Sequence, residues 1–223
     1  MKNWIIFEDE KILVVHKPAG LAVQTRSFGQ PDLESILKNY LKEKQRGGRD
    51  TVPYLGVIHR LDQPVEGLLV FGKTREAAKD LSLQSAGGQM EKRYLAVVSG
   101  RVQSEEEVFL SDYLVKDGKT HMARIAQPGE ENAREARMSY RLLEQRSQEA
   151  LVEIRLFTGR FHQIRVQMAH AGLPLTGDRK YNPEAGRGDL ALCAYALVFR
   201  YPGSKKRMSF ELSRTELKRY YEE

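Results

Sequence analysis

The chain has 223 residues, of which 41% are apolar and 30% charged, and its net charge is +6. This length and composition exclude a disordered chain and favour one sizeable domain, or one domain with two lobes. The single cysteine, Cys193, excludes an intrachain disulfide. No apolar run approaches the roughly 20 residues that cross a bilayer, and no signal-peptide pattern opens the sequence, so we expect a cytoplasmic protein without a membrane partner. The positive charge favours a polyanionic partner.

The first part of the chain predicts two short strands and a helix. Trp4–Phe7 and Lys11–His16 are rich in residues that favour strands, and a Lys-Pro-Ala-Gly turn follows the second run. Asp32 is placed to cap a helix whose apolar residues recur at i, i+3 and i+4 spacing. The charged, glycine-containing stretch from Lys42 to Asp50 predicts a loop after this helix.

Two apolar runs in the middle of the chain, Tyr54–Ile58 and Leu68–Phe71, predict buried strands. The sequence His59-Arg60-Leu61-Asp62 therefore lies where the first of these strands ends. Thr74 is placed to cap a helix that continues to about Gln84. The connection between the two strands thus carries an imidazole, a guanidinium and a carboxylate within four residues.

The second half of the chain predicts several strands and one helix, and Arg137–Glu144 and Ala150–Phe157 are expected to form a hairpin with Gln145–Glu149 as its loop. The predicted helix is Phe161–Ala171, with Gly172 at the position after its C-cap. The predicted strand regions are Arg93–Ser99, Val108–Ile125, Arg137–Glu144, Ala150–Phe157, Tyr195–Arg200 and Lys206–Leu212. This mixture predicts an α+β fold with a largely antiparallel mixed sheet and flanking helices.

Asp62 is the first candidate for chemistry. Arg60 and His59 precede it, and a neighbouring cation favours the ionised form of a carboxylate, which can act as a nucleophile or a base. The alternative is a surface aspartate that caps a turn before Pro64. From these residues alone both interpretations stay open.

The segment Thr158–Tyr181 supplies a second group of candidates. In a helix over Phe161–Ala171, His162 and Arg165 share a face. A buried arginine needs a carboxylate partner, and Asp62 is one candidate among 30 acidic residues. Arg160 lies near the predicted helix N-terminus, where free backbone N–H groups attract phosphate. The alternative for this part is an ordinary strand-to-helix turn.

Tyr94 follows Lys92 and Arg93 at the head of a predicted strand. An aromatic ring beside two cations can stack on a nucleic-acid base while the cations contact phosphates, although core packing explains a tyrosine there equally well.

None of the five histidines forms a His-x-x-x-His or cysteine-containing pair, so we expect no metal. The sequence also lacks a glycine-rich phosphate loop, so we expect no nucleotide cofactor.

Four ordered motifs together resemble the RluA-type branch of the pseudouridine synthases over nearly the whole chain. They are EDEKILVVHKPAGLAV, HRLDQPVEGLLVFGK, EKRYLAVVSG and TGRFHQIRVQMAHAGLPLTGD, the last continuing to Tyr181. The resemblance implies one catalytic domain over residues 1–223, with a central RNA-binding cleft. It also implies an isomerase that converts uridine to pseudouridine in ribosomal or transfer RNA without a cofactor or metal.

The resemblance implies a role for individual residues. Asp62 would be the catalytic carboxylate, and Arg165 would pair with it and hold it ionised. Tyr94 would lie against the uracil ring and help to remove the C5 proton. Arg60 would enter the RNA stack as the target base flips out. The expected substrate-binding residues are Arg60, His59, Arg160, His162 and Gln163.

The sequence departs from the family pattern directly after the catalytic motif. Val65-Glu66 stands where the family has Thr-Ser, and Phe161 and Gln167 stand where Thr and His are commoner. The family pattern starts within the first ten residues, so we expect no RNA-binding domain of the S4 type.

Two alternatives to the isomerase are a catalytically silent RNA-binding protein of the same fold and a glycosidase-like or hydrolytic enzyme that uses Asp62 and Asp178 as a carboxylate pair. The sequence leaves the oligomeric state open.

Overall fold

The structure, a computed structural model, describes residues 4–25, 29–44, 52–186 and 188–221. The chain divides into two compact units. The first is Met1–Met90 with Ala196–Glu211, and the second is Glu91–Tyr195 with Leu212–Glu223. Among the helices of the described ranges, none has the length and apolar character needed to cross a membrane. One catalytic domain over residues 1–223 stays a prediction.

The described residues form eleven strands and four α-helices. In chain order they are β1 (Ile5–Glu8), β2 (Ile12–Lys17), α1 (Leu33–Lys44), β3 (Gly56–Val57), β4 (Glu66–Gly72), α2 (Arg75–Ala86), β5 (Glu91–Ser99), β6 (Val108–Asp117), β7 (Met122–Ala126), β8 (Arg134–Gln145), β9 (Glu149–Leu156), α3 (Gln163–His170), β10 (Leu192–Arg200), β11 (Arg207–Glu211) and α4 (Lys218–Tyr221).

The core of the first unit forms around β2 and β4. β2 pairs antiparallel with both β1 and β4. Ile12–Val15 and Leu68–Phe71 are buried, as expected for continuous apolar runs that are covered on both sides. Thr74 caps α2 by accepting a hydrogen bond from the backbone N–H of Ala77 at 3.1 Å, which confirms the predicted helix start.

Helix α1 begins as predicted but ends later. The Asp32 carboxylate accepts a hydrogen bond from the backbone N–H of Ser35 at 2.8 Å. The loop predicted from Lys42 is wrong for its first three residues, because the helix continues to Lys44. Lys44 binds Glu8 at 2.8 Å, and lysines in a last helical turn also complement the helix dipole. The remainder of the predicted loop, residues 45–50, lies outside the described residues.

The strand predicted over Tyr54–Ile58 is limited to β3, two residues long. Its register pairs Gly56 with Gly72, which is the last residue of β4. Residues before Gly56 therefore have no β4 residue to pair with, and the apolar run continues outside the ladder. The predicted burial is correct for Leu55 but wrong for Tyr54, which is 40% exposed, and the other three residues of the run are half-buried. Periodicity also could not predict where the partner strand ends.

The second unit contains a sheet in the order β5, β9, β8, β6, β7, with each neighbouring pair antiparallel. The predicted hairpin is β8 and β9. Helix α3 packs on this sheet through Val166, which lies with Leu114, Ala123 and Ala136 in one apolar cluster. Hairpins and helices combine in both units, so the predicted α+β, largely antiparallel class is confirmed. The RNA-binding cleft stays a prediction.

The start of α3 corrects a prediction. The helix begins at Gln163 and not at Phe161, because His162 is left-handed with φ of 54°. His162 is therefore outside the helix, and the helical face on which it was to accompany Arg165 does not exist. The helix end is as predicted. Gly172 has φ of 77°, and the N–H of Leu173 donates to the carbonyl of Met168 at 2.9 Å, the pattern of a left-handed C-terminal cap.

Candidate active site

Asp62 opens a tight turn in the first unit. The backbone N–H of Val65 donates to the carbonyl of Asp62 at 3.0 Å. The adjoining Gln63 joins this turn to the Lys-Pro-Ala-Gly turn, since its carbonyl accepts from the N–H of Gly20 at 2.9 Å and its side chain donates to the Gly20 carbonyl at 3.1 Å. The Asp62 side chain is half-buried. The chain thus presents this carboxylate from a turn whose backbone is held on both sides.

Lys17 lies beneath the two turns and binds them together. Its side chain is fully buried. Its ammonium donates to the carbonyls of Pro18 at 2.9 Å, Leu21 at 2.7 Å and Gln63 at 3.2 Å. A buried ammonium needs such acceptors because isolated charge is costly away from water. The lysine of the Lys-Pro-Ala-Gly sequence is therefore part of the support for the Asp62 turn, a role that the sequence did not reveal.

The charges around this turn act on Lys17. Burial lowers the pKa of its ammonium to about 8, while the carboxylates of Asp62 and Glu66 act in the opposite direction. Glu66, one of the departures from the family pattern, is half-buried at the start of β4. It therefore adds negative charge that offsets the buried lysine.

The residues around Asp62 in the chain differ in burial and in hydrogen bonding. The Nε2 of His59 accepts a hydrogen bond from the backbone N–H of Val70 at 3.4 Å, which ties the imidazole to β4. Arg60 is exposed, as insertion into RNA would require. Val65, the other departure from the family pattern, is 2% exposed and belongs to the core. Replacement of a hydroxyl residue by valine at this position therefore adds apolar packing.

The second unit positions Tyr94 and Arg165. Tyr94 lies on β5 opposite Ile154 and is 5% exposed. Arg165 on α3 is 4% exposed, and its Nε and Nη2 donate to the two carboxylate oxygens of Asp178 at 2.8 and 2.7 Å. Such a bidentate pair fixes the guanidinium plane. The predicted pairing of Arg165 with Asp62 stays a prediction, and Asp178 is a carboxylate that the Arg165 guanidinium contacts.

The Asp178 carboxylate is tied into the second unit through both of its oxygens. The residue is fully buried, and its Oδ1 also accepts from the backbone N–H of Lys180 at 3.0 Å. Both carboxylate oxygens are thus engaged with groups of the second unit. This removes the support for a hydrolytic pair of Asp62 and Asp178. The aspartate of the Gly-Asp sequence could have been recognised as the arginine's partner only from its position in three dimensions.

Tyr181 connects His162 and Arg165. Its hydroxyl lies 2.8 Å from the Nδ1 of His162 and accepts a hydrogen bond from the backbone N–H of Ala123 at 2.7 Å. The Arg165 guanidinium lies over the Tyr181 ring at 5.2 Å, within the range of a cation–π contact. The ring of His162 also stacks on that of Phe161 at 3.8 Å. His162 is therefore the buried member of an aromatic network that includes half-buried Tyr181 and exposed Phe161.

The turn before α3 is organised by Gln163, which is 3% exposed. Its Oε1 accepts from the hydroxyl of Thr158 at 2.8 Å and the backbone N–H of Arg160 at 3.0 Å. Its Nε2 donates to the Arg137 carbonyl at 3.1 Å and to Gln167 at 2.9 Å. The side chain thus has its donors and acceptors occupied within the unit. Its predicted contact with substrate stays a prediction, and its structural task is to shape the turn.

The Arg160 side chain is held by one hydrogen bond and is exposed at the surface. Its Nε donates to the backbone carbonyl of Glu135 at 2.8 Å, while the side chain remains exposed at the surface. The second unit thus brings together Arg165, His162, Tyr181 and Asp178. In the first unit, His59, Arg60 and Asp62 are close along the chain, and Lys17 joins them through its hydrogen bond to the Gln63 carbonyl.

The sequence pattern of the family described as RNA pseudouridylate synthase matches residues 11–170. The chain belongs to this family. The matched range includes Asp62, Tyr94 and Arg165, and the similarity to curated relatives places the chain in the RluA-type branch. The expected family is confirmed.

Relatives of this family resemble the chain along most of its length. Ribosomal large subunit pseudouridine synthase D of Nitrosomonas europaea is 34% identical over 93% of the chain and 60% of the relative. Ribosomal large subunit pseudouridine synthase C of Haemophilus influenzae is 30% identical over 96% of the chain and 66% of the relative. The chain thus spans about three fifths to two thirds of the length of these pseudouridine synthases.

A solved structure supports the fold. Human RNA Pseudouridylate Synthase Domain Containing 4 matches with a TM-score of 0.77 at 22% identity, over 95% of this chain and 88% of the human one. At this identity the likeness establishes the pseudouridine synthase fold and no more. Both units of the present chain therefore belong to a known family architecture.

Proposed function

We propose that this protein is a pseudouridine synthase that isomerises specific uridines in ribosomal RNA of the large subunit. The observation that carries the proposal is the family match over residues 11–170, a range that includes the proposed catalytic residue Asp62. The structure supports this because the Asp62 turn is clamped through Gln63 and buried Lys17. The similarity to two ribosomal large subunit synthases favours ribosomal over transfer RNA. We place the activity in the cytoplasm.

The reaction needs no external reactant, because the product is an isomer of the substrate. The bond between N1 of uracil and C1′ of the ribose breaks, the base rotates, and a new bond joins C5 to C1′. The hydrogen on C5 leaves as a proton, and N1 gains one. Asp62 is the carboxylate that acts on the target uridine, and Tyr94 lies against the uracil ring and assists removal of the C5 proton.

The remaining site residues bind and orient the RNA. Arg60, exposed beside Asp62, fills the space in the RNA stack that the flipped nucleotide leaves. His59 anchors this segment through the hydrogen bond that it accepts from Val70 of β4, and Arg160 offers an exposed guanidinium to phosphate. His162 and Gln163 shape the turn before α3. Arg165, whose guanidinium is held by Asp178 on α3, is the third proposed catalytic residue.

The substrate is tested by mapping pseudouridine in RNA from a strain that lacks the gene for this protein. The RNA is incubated with the purified protein, treated with a carbodiimide that labels pseudouridine, and read by reverse transcription. We expect new stops at one or a few uridines of large-subunit ribosomal RNA. Stops in transfer RNA would reassign the substrate. RNA binding without any stop would contradict the enzyme and favour a catalytically silent RNA-binding protein.

A further inference from the structure

Lys92 is a largely buried lysine, with an ammonium that is not fully enclosed, and the proposed mechanism does not use it. It lies on β5 opposite Leu156, two residues before Tyr94, and is 8% exposed. Lysine is seldom buried to this extent without a partner. Within the described ranges its ammonium makes no hydrogen bond and no ion pair, and burial lowers its pKa. Buried Lys17, in contrast, donates to three carbonyls.

The position of the ammonium is defined by the turn before α3. A Cβ atom added to Gly159 would lie 3.7 Å from the Nζ of Lys92, and glycine places no side chain between them. Lys92 and Tyr94 point to the same face of β5, since side chains alternate along a strand, and their Cα atoms are about 7 Å apart. The cation therefore lies between the Tyr94 face and the start of the helix.

Other polar groups of this turn have partners inside the unit. The backbone N–H of Arg160 donates to Gln163, and the Nε of Arg160 donates to the Glu135 carbonyl. An unpaired cation destabilises a folded protein, so its presence beside a helix N-terminus indicates a ligand that neutralises it. The anion that an RNA substrate carries is its backbone phosphate.

We propose that Lys92 and the Gly159 turn form a binding site for one backbone phosphate of the RNA, next to the nucleotide that lies against Tyr94. The inference rests on the proposed function, because it takes RNA as the ligand. The phosphate neutralises the Lys92 ammonium and fixes the RNA backbone while the base turns. The glycine leaves the space in which the phosphate approaches.

Replacing Lys92 with methionine tests the site with two readouts: thermal stability, which should be kept, and RNA affinity, which should fall. Lys92→Met keeps the length of the side chain and removes the charge. Its melting temperature should equal or exceed that of the wild type, because no protein partner is lost. Its Kd for RNA should rise about tenfold or more, as expected for one charge-assisted hydrogen bond. The slope of log Kd against log salt concentration should fall by about 0.7–0.9, the contribution of one phosphate contact.

Lys79→Met is the matched control, because Lys79 is an exposed lysine on α2 and the substitution changes the charge identically. Its RNA affinity should stay near that of the wild type. Gly159→Ala is a second variant. At 3.7 Å from Nζ the added methyl group makes an ordinary contact, so the fold is kept, but the approach to the ammonium is narrowed and Kd should rise.

The binding assays use total RNA from the gene-deletion strain and the Asp62→Asn background, so they do not depend on turnover. Unchanged affinity and salt slope in Lys92→Met would overturn the phosphate site even if the protein is an active synthase. A markedly lower melting temperature would overturn it as well, because Lys92 would then be a structural cation. Absence of pseudouridine formation by the wild type would remove the proposed function, whereas the salt slope would still show whether Lys92 contacts phosphate.

Discussion

Arg165 and Asp178 form a pair in which each residue stabilises a buried charge on the other. Their side chains are 5% and 0% exposed. Asp178→Asn should lower the free energy of unfolding by about 3–5 kcal/mol, because it removes the negative charge from a buried, bidentate ion pair. Urea denaturation measures this loss. Arg165→Met should cost a similar amount by isolating the carboxylate.

The surface pair of Arg124 and Glu130 provides the comparison for this prediction. Both side chains are substantially exposed, and pairs of this kind contribute about 0–1 kcal/mol. Glu130→Gln should therefore change stability little. A loss in Asp178→Asn no larger than that in Glu130→Gln would show that the buried pair is not what holds Arg165 in place.

Lys17 should make stability depend on pH in the alkaline range. Its pKa is about 8 in the folded protein, against 10.5 for a lysine in water, which is the value expected in the unfolded chain. Between these values the unfolded chain binds more protons than the folded one, so the contribution of Lys17 to stability increases as pH rises. The gain is at most about 3 kcal/mol.

The measurement compares the free energy of unfolding of the wild type with that of Lys17→Met at several pH values from about 7 to about 10. Other groups that titrate in this range are common to both proteins and cancel. Lys17→Met should be less stable at every pH, because three carbonyls lose their donor. The difference should widen as pH rises, and a constant difference would contradict the lowered pKa.

The sequence predicted individual residues best where their role is local. Asp32 and Thr74 cap helices as predicted, because an N-cap depends on groups three residues away. Asp178 was not predicted as the partner of Arg165, since 13 residues separate them along the chain and the pairing depends on how the chain folds back. The hydrogen bond between Lys17 and Gln63 was not predicted for the same reason, because 46 residues separate them.

At the scale of elements, the close approach of β4 and α2 depends on glycine. A Cβ atom on Gly72 would lie 2.6 Å from the backbone nitrogen of Ala78 in α2, a distance that backbone atoms cannot relieve without movement. Gly72→Ala should therefore destabilise the first unit by about 1–3 kcal/mol. Gly118→Ala is the control, because nothing lies within 4 Å of its added Cβ.

Thermal or urea unfolding of these two variants tests the packing of α2 against β4. Gly118→Ala should be close to the wild type. Equal stability of Gly72→Ala and Gly118→Ala would mean that the helix can move away from the strand at no cost. It would then be wrong to treat the glycine as a requirement of this contact.

Apolar periodicity predicted the elements of the chain better than their ends. The β8–β9 hairpin and the C-terminal cap of α3 at Gly172 appear as predicted. The start of α3 was predicted two residues early, because periodicity does not register that His162 adopts φ of 54°. The hydrogen bond of His162 to Tyr181 accompanies this conformation and links residues 19 positions apart, so no local pattern contains it.

For the whole molecule, composition and motif order were more informative than any single motif. The net charge of +6 favoured a polyanion, and the four ordered motifs predicted the family to which the chain belongs. Composition could not predict where charge lies within the fold. Two buried lysines, Lys17 and Lys92, differ in whether protein carbonyls surround them, and only the structure distinguishes support of a turn from a cation open to a ligand.

The central claim is that Asp62 carries out the isomerisation, and release of tritium from RNA labelled at uridine C5 tests it most directly. The RNA comes from the gene-deletion strain, and the wild type is compared with Asp62→Asn. The substitution removes the charge but keeps the backbone carbonyl that accepts from Val65, so the turn should remain folded. We predict release by the wild type and none by Asp62→Asn at unchanged RNA affinity. Substantial release by Asp62→Asn, or none by the wild type, would contradict the account.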